Sequence, residues 1–116
     1  MILVDGHLDI AFNRLCFGRD ARRSALEIRA EEAKQPAVAW RGDCMVGLKE
    51  LREGRVAVIF GTLFAPRTQD WKESGLDPTI AYDNADQADA VARRQLDVYH
   101  EMAEAGGYRM IHTADD

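Results

Sequence analysis

The sequence predicts an α/β fold built on a parallel sheet, and three observations carry that expectation. Residues 2–10 and 55–64 are short apolar runs, the second rich in β-branched and aromatic side chains, as strands are. Each run is followed by a stretch with helical spacing and its own start signal, at Ser24 and at Asn84. Strand and helix therefore alternate along 116 residues without an internal repeat. That order favours parallel strands joined by crossover helices.

The first run places Ile2, Val4, Gly6, Leu8 and Ile10 on one side and Leu3, Asp5, His7 and Asp9 on the other, because side chains alternate along a strand. One side suits packing under helices. The other turns polar toward its carboxyl end, the end at which parallel α/β sheets carry their chemistry. From Ser24 the segment SALEIRAEEAK reads as a short helix, with Ser24 as N-cap, Glu27 three positions on, and apolar Leu26, Ile28, Ala30 and Ala33. Pro36 closes it, and Trp40, Gly42 and Asp43 fall in a connecting loop. Residues 46–54 give one or two helical turns, with Gly54 expected as the left-handed residue at the end.

Residues 55–64, RVAVIFGTLF, form an almost unbroken apolar run, the pattern of a strand buried on both faces. A polar loop with Pro66, Trp71, Gly75 and Pro78 follows. The clearest helix begins at Asn84, with Gln87 at the third position and Ala88, Val91, Ala92, Gln95, Leu96, Tyr99, Met102 and Ala103 on or beside one stripe. Gly106 and Gly107 end it, and residues 108–111 have the composition of a short further strand.

With 47% hydrophobic and 30% charged residues, the chain has the make-up of one modest globular domain. Its net charge of -5 is dispersed, which argues against a nucleic-acid or anionic-membrane surface. Cys16 and Cys44 are distant and lack metal or redox spacing, so a reducing setting is expected. The opening residues have neither a basic leader nor a long apolar stretch, so the expected location is cytoplasmic.

Among the polar residues, His7-Leu8-Asp9 carries a physical argument. At i and i+2 on a strand, an imidazole and a carboxylate can converge on one ion, and nitrogen plus oxygen ligation suits Zn²⁺ or a similar divalent cation. Asp5, one step deeper on the same side, is placed to hold His7 by accepting its other ring hydrogen. His100 reads as a solvated helix position and His112 as loop; Cys16 and Cys44 have no nearby base. Gly61-Thr62 lacks the spacing of a phosphate loop. Phe12, Phe60, Phe64 and Trp71 are candidates for pocket lining, but aromatic residues near strand ends are more often core.

The run from Val4 to Asn13, VDGHLDIAFN, resembles the DGHxD opening of the renal or membrane dipeptidases, peptidase family M19, with Phe12 where that family often carries an aromatic. Gly18-Arg19-Asp20 with residues 24–32, the stretch GLKELREGRV at 47–56, and the helix segment QLDVY at 95–99 are similar to that family in the same order. The resemblance implies a (β/α)8 barrel of the metal-dependent hydrolase type with two zinc ions at its mouth, of which residues 1–116 are a single partial domain: two βα units and a short third strand. It implies that His7 and Asp9 ligate the first zinc; Asp5 as their support and Phe12 as a candidate pocket residue are read from position and composition. The family's remaining ligands come from later strands, so no catalytic residue is expected in this chain, and the chain alone should bind zinc weakly or not at all and be inactive. The implied substrate is a dipeptide. An incomplete barrel also leaves strand edges bare, and a homo-oligomer, a dimer first, is expected. Two rival expectations stand beside this one: a small α/β interaction module derived from the barrel, and another metal hydrolase of the amidohydrolase type.

Overall fold

The computed structural model describes residues 1–38, 40–72, 74 and 77–116, so Gly75 lies outside the described residues. Strands β1 (Leu3–Leu8) and β2 (Val56–Gly61) pair in parallel as a two-stranded sheet. Around it lie helices α1 (Ile10–Phe17), α2 (Ala25–Glu32), α3 (Leu48–Glu53), the short α4 (Thr68–Trp71), a 3₁₀ turn at Pro78–Ile80, and α5 (Ala85–Glu104). The mixed α/β class and the parallel pairing are as the alternation predicts. Among the described residues no helix is long and apolar enough to cross a membrane.

The pairing register is Leu3 with Val56, Val4 with Val58, Asp5 with Ile59 and Leu8 with Gly61. Between Leu3 and Val4 the extra residue lies on β2; between Asp5 and Leu8 it lies on β1, at Gly6 and His7. An extra residue in one strand frees a backbone group and re-aims a side chain. Asp5 Oδ1 takes up the His7 N–H at 3.0 Å.

The main core packs Ile10, Ala11, Ala21, Val98 and Met102 together, with Leu8, Ile59 and Tyr99 against it. It lies where α1 and α5 meet beside the sheet. A smaller cluster joins Ala25, Ile28 and Cys44 under α2.

Several expectations need correction. The first strand ends at Leu8 rather than at residue 10, because Asp9 is the N-cap of α1, and Ile10 and Ala11 are the buried start of a helix. That helix ends at Gly18, whose left-handed backbone (φ 69°) lets its N–H reach Arg14 O. After α3 the left-handed residue is Arg55 (φ 57°), while Gly54 stays right-handed. Arg55 holds that conformation with its N–H on Arg52 O and its carbonyl on Leu3 N–H, so helix end and strand start are tied to β1. The second run is not buried on both faces: Phe60 is 62% exposed. Residues 108–111 form no strand; Tyr108 instead packs at the core and donates to Ala21 O at 2.9 Å. Among the described residues the loop after β2 carries α4 and the 3₁₀ turn, and a parallel bridge joins Arg67 and Tyr82.

The helix starting at Asn84 matches its signals closely. Asn84 accepts the Gln87 N–H at 3.0 Å, and the Gln87 side chain turns back to the Asp83 N–H at 2.7 Å. Its buried residues are Val91, Gln95, Val98 and Met102, four positions spaced for one face. Gly106 and Gly107, both at positive φ, end it.

Candidate metal centre

At the carboxyl end of β1 the register change and the turn into α1 bring His7 and Asp9 together, with His7 Nε2 3.3 Å from Asp9 Oδ1. The imidazole is 72% exposed and the carboxylate 37%, so both are reachable from solvent. Asp5 does not meet the imidazole ring: its carboxylate accepts the backbone N–H of His7 and so fixes the bulge.

Asp9 opens α1 without using its side chain as a cap. Instead its Oδ1 accepts the hydroxyl of Thr62, the residue just past β2. Thr62 is itself pinned, its N–H donating to Leu8 O at 3.0 Å and its carbonyl accepting the Tyr99 hydroxyl at 2.9 Å. The same Tyr99 oxygen receives the Ala11 N–H at 3.4 Å. Burial, with the Asp9 charge adding to it, keeps the Tyr99 phenol above its ordinary value and hence neutral. One turn earlier on α5, Gln95 clamps Phe64 through both backbone groups, accepting from its N–H at 2.9 Å and donating to its carbonyl. Gln95 and Tyr99, four apart, thus satisfy backbone just beyond the strand ends, where the ladder has stopped.

From the other side, Asn13 donates to Asp9 O at 2.9 Å and accepts from Arg19 Nη1 at 2.9 Å. The Arg19 guanidinium is 6% exposed, forms a two-pronged pair with Glu32 at 2.8 and 2.9 Å, and also donates to Gly42 O. That hydrogen-bonded pairing holds the Glu32 carboxyl below its ordinary value. A cavity of about 220 Å³ opens beside Asp9, lined by Asn13, Arg19, Arg41, Cys44 and Val46 among others.

Phe12 packs edge-on against Phe64 (5.1 Å), Trp71 (5.7 Å) and Phe17 (6.4 Å), an aromatic cluster under the loop after β2 and not part of that cavity wall. Phe60 is exposed, as are His100 and His112. Burial, reinforced by Asp77, pushes the Cys16 thiol up to about 12, so it stays protonated and unreactive. Cys44 is buried and directs its sulfur to Val46 O at 3.5 Å.

His7 and Asp9 thus form a two-donor nitrogen and oxygen set that fits part of a zinc shell. Among the described residues no group of three or more His, Cys, Asp or Glu side chains is gathered for a metal. The sequence pattern picked out His7, Asp9 and Asp5; it missed Thr62, Asn13 and Arg19 as their supports. Comparisons with protein-family models, curated proteins and solved structures found no match to this chain.

Proposed function

We propose that this chain is the amino-terminal portion of a zinc-dependent dipeptidase of the renal dipeptidase kind, with β1 and β2 as the first two strands of its (β/α)8 barrel. The observation that supports it best is the meeting of His7 Nε2 and Asp9 Oδ1 at 3.3 Å at the carboxyl end of a parallel strand. That is where barrel enzymes carry their chemistry. His7 and Asp9 would hold the first of two zinc ions. Bound zinc supplies a Lewis acid and a water of lowered pKa. This chain's own part is to aim the two donors: Asp5 fixes the His7 backbone, and Asn13 and Thr62 fix Asp9. The dipeptide substrate rests on the sequence resemblance, and a cytoplasmic location on the opening residues and the two distant cysteines of the sequence.

Two ligands are fewer than the about three that catalytic zinc takes from its protein, so the chain alone should bind Zn²⁺ weakly if at all and leave dipeptides uncleaved. Calorimetry with Zn²⁺ tests the assignment: weak heats abolished by either His7→Ala or Asp9→Ala are expected, and tight one-to-one binding surviving both changes overturns it. In a longer form carrying the later strands, Asp9→Asn should lower dipeptide hydrolysis by more than about 100-fold, beyond the loss caused by removing a partner of a ligand. Normal turnover in that variant removes Asp9 from the metal. An interaction module is the rival that the bare face around Phe60 favours, and a native stop codon directly after residue 116 would support it.

A further inference from the structure

We propose that Thr62 is the positioning residue for Asp9, turning its carboxylate so that Oδ1 is taken by the protein and Oδ2 is left to a divalent cation. The hold on Asp9 stands on geometry alone; only the role of the cation rests on the metal reading above. An Asp at a helix N-cap ordinarily spends its side chain on the first N–H groups of its own helix. Asp9 does not, and its carboxylate is turned across to the end of the neighbouring strand. Among the described residues its hydrogen-bond and ion-pair partners, the Thr62 hydroxyl and His7 Nε2, both fall on Oδ1.

The Thr62 hydroxyl has one proton. Its other acceptor within reach, Leu8 O, lies at 3.4 Å, too long to compete with a charged carboxylate oxygen. The threonine cannot drift, because its N–H and its carbonyl are held by Leu8 and Tyr99. A fixed donor aimed at one oxygen removes the rotation of the carboxylate. Outer partners of this kind act on metal affinity through the ligand they orient.

The test uses the 116-residue chain without metal and then with Zn²⁺. In the native chain the three-bond couplings of the Asp9 methylene should report one rotamer at neutral pH. Thr62→Val, which keeps the shape and loses the hydroxyl, should average them and weaken Asp9-dependent Zn²⁺ binding about tenfold. Thr62→Ser should restore both. If the valine variant does not fold, Thr62→Ala replaces it, and the reciprocal Asp9→Asn change should loosen the Thr62 side-chain rotamer. Unchanged Asp9 couplings in a folded variant lacking the hydroxyl overturn the proposal, as does unchanged zinc affinity where the native chain binds through His7 and Asp9. One rotamer in the native chain that is averaged in Thr62→Val, with no zinc bound by either, would support the hold of Thr62 on Asp9 and overturn its role toward a cation in this chain.

Discussion

A β-carbon added at Gly61 would lie 2.6–2.8 Å from the ring and hydroxyl of Tyr99, so the smallness of this residue is set by a neighbour and not by its own backbone. The ring cannot retreat without giving up the Thr62 carbonyl and the Ala11 N–H. Gly61→Ala should therefore cost about 1–3 kcal/mol, the range for forcing extra atoms into a packed site, read from the denaturant midpoint. Gly6 is the opposite case: nothing lies within 4 Å of its added β-carbon, although it sits inside the DGHLD run. Gly6→Ala should stay within about 0.5 kcal/mol of the native stability. A large loss there, or none at Gly61, would refute the packing described. At this scale the sequence revealed what lies close along the chain. His7 and Asp9 are two apart, and strand spacing was enough to pair them. Thr62 is 53 positions from Asp9, and Tyr99 is 37 from Thr62. No local pattern links them; only the parallel pairing of β1 with β2 and the packing of α5 do.

Helix α2 shows how a local signal can be half right. Ser24 caps it as predicted, accepting the Leu26 N–H at 3.2 Å, but the acidic partner is not Glu27 three residues on. Glu50 of α3 takes that place, accepting the Ser24 hydroxyl and the Ala25 N–H at 2.9 Å. Those hydrogen bonds, at the positive end of the helix, hold the Glu50 carboxyl at about 2 against its ordinary 4.5. A carboxyl lowered by folding stabilises the fold fully above its unfolded value. The contribution is lost as pH falls from 4.5 through about 2. Asp20, lowered from 3.8 to about 2 chiefly by its hydrogen bond with Arg22, acts in the lower part of the same window. Glu50→Gln should thus flatten the acid limb of stability between pH 4.5 and 2 without abolishing it, measured by denaturant unfolding at a series of pH values. An acid limb identical to that of the native chain would show that Glu50 does not join α3 to α2. The Asn84 helix was legible because its cap, stripe and glycine stop are all contiguous. Helix α1 was not, because Asp9 and Ile10 continue the alternation of the strand before them. Gly18, at its C-cap, was the one local clue to its end.

The molecule as a whole is more open than its size requires. Its radius of gyration is 15.0 Å, against about 13 Å for a compact domain of this length. Its 7796 Å² of accessible surface exceeds by about 1,500 Å² the roughly 6,300 Å² of a compact monomer of 13.0 kDa. Each partner in an ordinary stable interface buries about 800 Å², so the surplus is large enough for one. Its location is informative. Phe60, Leu63 and Phe64 are 62%, 49% and 46% exposed, along and just beyond β2, while Ile2 and Val4 at β1 are 72% and 60% exposed. Among the described residues the sheet has two strands, so each also presents an outer edge without a strand partner. In a longer chain of the proposed kind, the next βα unit would cover β2. In the isolated chain a second copy is the available partner, and an interface between identical patches closes as a dimer. Light scattering on a sizing column should give twice the mass of one chain at micromolar concentration, with an unfolding midpoint that rises with protein concentration. Phe60→Lys, on a side chain that packs little within its own chain, should shift the population to monomer without unfolding it. A monomer whose midpoint ignores concentration would mean that the two-stranded sheet closes its own core, and would move the balance toward the self-contained interaction module.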